Sequence, residues 1–496
     1  MKLQDFPSDI QPYLIPKPAE GLKYVCLKCG AGHAPAKLYY TCPDCGGLLL
    51  LKDAKEDRLK EFSGSFWRRL FDYRRMLNIQ PLMGIFTFHE FLAPLIPLES
   101  VIYLGEGHTP VVAAPESLSL EVGLSLFIKH DGQNPSASFK DRGMAAALSY
   151  LNYLIDSQNM KNVLAVCAST GDTSAAAALY SAALGAKIKS AVLLPKGKVT
   201  LPQLSQPLGA GAKVFELPGV FDDCMKVVEH LSENYEVALL NSKNPWRVLG
   251  QESYAFELAR QFDYEIGDLA LFVPVGNAGN ITAIMSGLLK LKRYGVIEKL
   301  PKLVAVQSEH ADPVFRYYSQ PADSRNYQPV TVRPSVAQAA MIGDPVSFPR
   351  VVEMVNEYQA LNGLFYVVQV TEQAIMDNML KANRSGLTIC TQGGEGLAGL
   401  REAMRLKYVG PEDRAVVDST AHALKFAEFQ TSYFEDRLRD GFEVTPDQSL
   451  INRPLDIKPQ NVPLPEPGRS QSQAERAAYV AAAARDIAVA LGLKSL

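Results

Sequence analysis

Asn162-Val163-Leu164-Ala165-Val166-Cys167-Ala168-Ser169-Thr170-Gly171-Asp172-Thr173-Ser174 decides how the chain folds. Its first six residues are apolar almost without alternation, which predicts a strand buried on both faces rather than one half-exposed. A turn of small hydroxyl residues follows, and the Ala-rich run 173–184 has the composition of a helix. The same phrase recurs outward from this point. Residues 188–194 read as a strand, 214–217 as a strand before helical spacing over 222–234, and 271–275 as a strand before a Gly/Asn turn and a helix over 282–293. Residues 303–307 and 415–418 add two more apolar runs. Strands alternating with helices over three hundred residues predict an α/β fold with two parallel-sheet lobes and a ligand cleft between them.

The flanks have another character. Cys26, Cys29, Cys42 and Cys45 form two Cys-x-x-Cys pairs separated by twelve residues, with Gly30 and Gly46 after each pair. That spacing aims four thiolates at one tetrahedral centre and predicts a structural zinc ion in a small ribbon, since four protein ligands leave no open position. A metal-free ribbon and redox-active thiols are the alternatives. Cys167, Cys224 and Cys390 read as small core residues. Amphipathic spacing over 53–100 predicts a helical connector, with Arg68, Arg69, Arg74 and Arg75 on a solvated face. Beyond 430 the chain turns Pro- and Asp-rich and closes on an Ala-rich helix. The expected organisation is therefore a zinc-ribbon-like segment at 20–52, a connector at 53–100, a large lobe from 101–135 and 245–430, a small lobe at 136–244, and a C-terminal arm and helix at 431–496.

Composition bounds the function. The 496 residues are 47% hydrophobic and 21% charged, with a formal net charge of -3. Such a chain buries a large core and is not disordered as a whole. The charge balance lacks the basic footprint that nucleic acid requires, and no apolar run approaches the length of a membrane span. The first 18 residues hold Pro7, Pro12 and Pro16 and no apolar core, so no secretory signal is read and a cytoplasmic enzyme is expected.

Three loops carry chemistry. Gly276-Asn277-Ala278-Gly279-Asn280 joins a strand to a helix, where free backbone amides hold a phosphate; the dinucleotide fingerprint and the Walker A pattern are both absent. Ala168 to Ser174 places hydroxyls, a glycine and an acid at a helix start, suited to a carboxylate or a ring oxygen, or simply to an N-cap by Thr170 or Asp172. Asn134-Pro135-Ser136-Ala137-Ser138-Phe139-Lys140-Asp141-Arg142-Gly143 puts Lys140 at a helix start. An isolated lysine is ordinarily solvated. Here the positive end of the helix disfavours an ammonium, which suits an amine that attacks carbonyl carbon.

Taken together with Leu104-Gly105-Glu106-Gly107-His108-Thr109-Pro110, Asn241-Ser242-Lys243-Asn244-Pro245-Trp246-Arg247 and Thr420-Ala421-His422-Ala423-Leu424-Lys425, these loops resemble the pyridoxal-phosphate enzymes of the tryptophan-synthase-β fold type (fold type II). More narrowly they resemble the threonine synthase family, over about residues 20–425. The resemblance implies that Lys140 carries pyridoxal 5'-phosphate, that Gly276, Asn277, Ala278, Gly279 and Asn280 hold its phosphate, that Asp172 lies near its ring oxygen, and that Thr420 faces its ring nitrogen. It implies a lyase that makes L-threonine and phosphate from O-phospho-L-homoserine and water by γ-elimination and β-addition, commonly as a homodimer. Asn241, Ser242 and Arg247 would grip the substrate phosphate, and Ser169, Thr170 and Thr173 its carboxylate. Three departures from the family pattern stand out: Asp172 replaces an asparagine, Ala421 and Ala423 replace glycines, and Pro135-Ser136-Ala137 replaces Pro-Thr-Gly. The rivals on the same scaffold are a threonine/serine dehydratase and a synthase acting on O-phosphoserine.

Overall fold

The computed structural model describes residues 1–169, 171–196, 201–219 and 221–494, leaving aside the side chains of 201–203, 221, 222, 225 and 233. They form two compact units, Met1–Thr445 and Pro446–Leu496. In the first, strands β1 (Leu22–Cys26), β2 (Gly32–His33) and β3 (Leu49–Asp53) make an antiparallel sheet in the order β2-β1-β3. Next along the chain come β4 (Val111–Ala113) and β5 (Ser125–Lys129), then β6 (Val163–Ala168), β7 (Ile188–Pro195), β8 (Lys213–Leu217) and β9 (Val237–Leu239). The last four are β10 (Leu269–Pro274), β11 (Lys302–Ser308), β12 (Phe365–Val370) and β13 (Arg414–Asp418).

Strands β6 to β9 form a parallel sheet in the order β8-β7-β6-β9, and the others a six-stranded sheet β12-β11-β10-β13-β5-β4 whose β4 edge alone runs antiparallel. The expected pair of parallel α/β sheets is present. β10 is buried at every position, as a central strand covered by helices on both faces must be. In such sheets ligands bind beyond the carboxyl ends of the strands. The three chemically loaded loops follow such ends: β6 runs into Ser169, β10 into Gly276, and β5 leads to the segment that carries Lys140, while β13 runs into Thr420.

Residues 53–100 are less regular than the amphipathic spacing predicts. Gly64–Arg74 is a three-turn helix capped by Ser63, and most of the remainder is single turns, because Pro81, Pro94 and Pro97 interrupt any longer run. Arg74 is not on a solvated face. It is fully buried, donates to both oxygens of Glu90 at 2.7 and 2.5 Å, and also bonds the carbonyls of Tyr13, Leu14 and Thr87. Cys167, Cys224 and Cys390 are buried thiols, as expected. The second unit carries the helix Gln473–Leu491, opened by a reciprocal Ser472–Glu475 capping box and closed on Gly492 in the left-handed region.

Candidate active site

Lys140 opens the helix Lys140–Gln158, and its loop is laced to the segment after β13. Phe139 N donates to Thr420 O at 2.9 Å, His422 N donates to Ala137 O at 3.0 Å, and Ser138 bridges Ala421. Ala137 sits at φ 65°, the left-handed conformation for which a glycine is the easy choice, so alanine there costs about 1 kcal/mol. The lacing holds it. Lys140 Nζ lies 4.0 Å from the centre of the Phe139 ring. Its pKa falls to about 7, chiefly through burial away from water and next through the Arg247 guanidinium, with Asp172 pulling the other way. Desolvation and a neighbouring cation, rather than the helix end, therefore supply the nucleophilic amine.

Two glycines bring Arg247 to that lysine. A Cβ on Gly143 would stand 2.9 Å from Arg247 O, and one on Gly250 would stand 2.2 Å from Arg142 O, so the helices Lys140–Gln158 and Pro245–Gln251 touch backbone to backbone. Arg247 is 3% exposed, donates one bond, to Leu240 O at 3.0 Å, and leaves Nε buried without a partner. Among the described residues no carboxylate pairs with it. Burial pulls its pKa down to about 10. A buried guanidinium in that state is suited to pair with an anion. Arg350, itself fully buried, donates to the carbonyls of Ser242 and Lys243 at 3.1 and 3.0 Å and to Leu49 O of β3 at 2.7 Å, fixing the segment that precedes Arg247.

The remaining expected residues are placed as follows. Asp172 begins the helix Asp172–Ala183 and accepts a 2.8 Å bond from Lys425 Nζ; the N-cap position is Gly171, so Asp172 is not the cap. Ser169 Oγ accepts from Gly171 N at 3.2 Å. Thr173 is half-buried one position along, and Thr170 lies outside the described residues. Asn241 reaches the site, but its carboxamide is spent on Ala168, accepting at 3.1 Å and donating at 2.6 Å; it clips the end of β9 to that of β6. Ala278 is left-handed at φ 61° as the N-cap of the helix Gly279–Arg293, whose first-turn amides have no partner within the helix. A Cβ on Gly279 would meet nothing closer than 3.8 Å, so the loop keeps room above it. Asn277 O accepts from Ser347 N at 3.1 Å, and Asn280 Nδ2 donates to Asp418 Oδ2 at 2.9 Å while its Oδ1 stays unpartnered. Thr420 is buried at the end of β13.

A low-pKa amine and the free first-turn amides of the helix after Gly276–Ala278 suit an aldehyde-bearing aromatic phosphate. The residues present therefore fit pyridoxal phosphate. Residue spacing missed what supports them. Arg142 donates to Asp131 and Glu257 at 2.8 and 2.5 Å, and Lys129 donates to Glu257 at 3.1 Å, all buried beneath the lysine loop. Glu106 and Asp141 are buried carboxyls raised to about 7, mainly by desolvation. Both lie inside family-like segments, a signal that assigned them no role.

In the ribbon, Sγ of Cys26 and Cys45 are 3.5 Å apart and those of Cys29 and Cys42 3.7 Å apart, with all four within 4.8 Å. A tetrahedral zinc with 2.3 Å bonds separates its sulfurs by about 3.8 Å. The four cysteines fit it.

A family model described as pyridoxal-phosphate dependent enzyme matches residues 102–420. The chain is 34% identical over 395 residues to "Threonine synthase 2, chloroplastic" of Arabidopsis thaliana, covering 79% of this chain and 74% of the relative. It is 34% identical over 404 residues to threonine synthase of Methanocaldococcus jannaschii, covering 81% and 92%. The solved threonine synthase of Escherichia coli shares the fold, with a TM-score of 0.60 at 21% identity over 86% of this chain and 92% of that one. This chain belongs to the pyridoxal-phosphate-dependent enzymes, and among them to the threonine synthase family.

Proposed function

We propose that this chain is a threonine synthase in its own right, converting O-phospho-L-homoserine and water to L-threonine and phosphate. The observation that carries the reading is the buried, carboxylate-free Arg247 held against Lys140 by glycine contact. A dehydratase acting on free threonine or serine has no use for that arginine.

Pyridoxal phosphate, when bound, supplies an electron sink for negative charge developing at the substrate's α and β carbons. Lys140, Asp172, Gly276, Asn277, Ala278, Gly279, Asn280 and Thr420 would hold it. The chain's own residues do the rest. Lys140 Nζ, with a pKa near neutrality, takes and returns protons at the α and β carbons. Arg247 and Ser242 bind the γ-phosphate, with Asn241 acting through the backbone it fixes. Ser169, Thr170 and Thr173 orient the carboxylate. The γ C–O bond breaks to release phosphate, the water oxygen adds at the β carbon, and a proton ends on the γ carbon. Lys425 neutralises Asp172, which lets an acid stand where the family carries an amide.

The same reading takes residues 20–52 as a structural zinc ribbon, 101–135 with 245–430 and 136–244 as the two catalytic lobes, and 431–496 as an arm. It takes the protein as a cytoplasmic homodimer that binds no nucleic acid. Among the described residues no helix is long and apolar enough to cross a membrane. Borohydride reduction followed by peptide mass spectrometry tests the cofactor assignment. Label on Lys140 supports it, and label elsewhere or nowhere contradicts it.

A further inference from the structure

Beyond the end of β11, Glu309, His310 and Glu443 bring one ligand atom each to within 4.8 Å of one another. His310 is 2% exposed and firmly held. Its carbonyl accepts from Arg333 N at 3.0 Å, and its ring Nδ1 donates to Pro334 O at 2.5 Å. That bond leaves Nε2 as the ring atom facing Glu443, buried and without a hydrogen-bond partner. A ring whose far nitrogen is anchored on a carbonyl while the near one stays open is the usual posture of a metal-bound histidine.

The spacing supports the same reading. Nε2 lies 3.7 Å from Glu443 Oε2, too long for a hydrogen bond. Two donors at 2.1 Å from one cation stand about 3.4 Å apart at the tetrahedral angle, and farther apart as the angle opens. Arg333 occupies Glu443 Oε1 at 2.5 Å, so the oxygen facing His310 is the one left over. Glu309 is half-buried beside it. One imidazole and two carboxylates favour a first-row transition cation over magnesium or calcium, which prefer oxygen alone.

We propose that Glu309, His310 and Glu443 form a binding site for a divalent transition cation, separate from the four-cysteine ribbon and from the lysine site. The cation would clamp residues 438–444 to the end of β11. The full chain is titrated with Mn2+ while the free-ion paramagnetic resonance signal is followed. Manganese is the probe because imidazole and carboxylate accept it, whereas four thiolates select zinc. The expected result is a single saturable site with nitrogen coupling in the pulsed spectrum, weakened at least about tenfold by Glu443→Gln and abolished by His310→Gln. Glu443 is exposed, so its substitution reads out even where His310→Gln fails to fold. Absence of saturable binding in the wild type, or binding that survives Glu443→Gln unchanged, overturns the proposal.

Discussion

Asp172 and Lys425 form a 2.8 Å ion pair, nearly buried, within electrostatic reach of Lys140. The pair joins the first turn after β6 to the segment after β13, so one contact ties both sheets to the lysine's surroundings. Lys425→Met should raise the Lys140 pKa by about one unit, since it removes a cation and leaves Asp172 unbalanced. The acid limb of kcat/KM would move to higher pH accordingly. Adding Asp172→Asn should return it toward its original position, and a double variant no different from Lys425→Met alone would refute the coupling.

Arg247 trades stability for function. Arg247→Met removes a buried guanidinium that no carboxylate among the described residues balances, so the melting temperature should rise by a few degrees. Turnover of a phosphorylated substrate should fall by about three orders of magnitude. Calorimetry and kinetics on the same preparation check both signs.

Glycine contact is what sets Arg247 against Lys140. Gly250→Ala places a methyl into Arg142 O and should cost about 1–3 kcal/mol. The displaced helix should raise KM for the phosphorylated substrate more than it lowers kcat.

The network beneath the lysine loop is costly to break. Glu257→Gln leaves Arg142 and Lys129 short of charge and should destabilise by about 3–5 kcal/mol, read by denaturant unfolding. The Glu257 pKa is held far below its ordinary value by Arg142 and Lys129, which outweigh its burial. Its contribution is therefore fully present above the unfolded carboxylate pKa and disappears only as pH falls well below it.

If the ribbon holds zinc as proposed, the metal should act on the active site through side-chain hydrogen bonds. Leu49 O binds Arg350, and Tyr24 OH accepts from Trp246 Nε1 at 2.8 Å, next to Arg247. Chelation should lower thermal stability and raise KM for the substrate, and readdition of zinc should reverse both.

The strand-loop-helix phrase made the paired sheets and the loops at their carboxyl ends legible from sequence, because continuous apolar strands are local features. Lys140 and Arg247 were legible only as members of motifs. Their proximity depends on Gly143 and Gly250, which look unremarkable one at a time. Arg142 and Glu257 lie 115 residues apart, so no spacing rule pairs them. Asn241 has the right position, but only the fold reveals that Ala168 consumes its carboxamide. Arg74 reads as one of four surface arginines until Glu90 is brought beside it.

The most direct test is phosphate and threonine release from O-phospho-L-homoserine by the wild type, Lys140→Ala and Arg247→Ala, with O-phosphoserine and L-threonine as control substrates. Equal amounts of phosphate and threonine from the wild type, with both lost in each variant, is the expected result. Phosphate without threonine, or turnover of a control substrate that survives Arg247→Ala, would contradict the assignment.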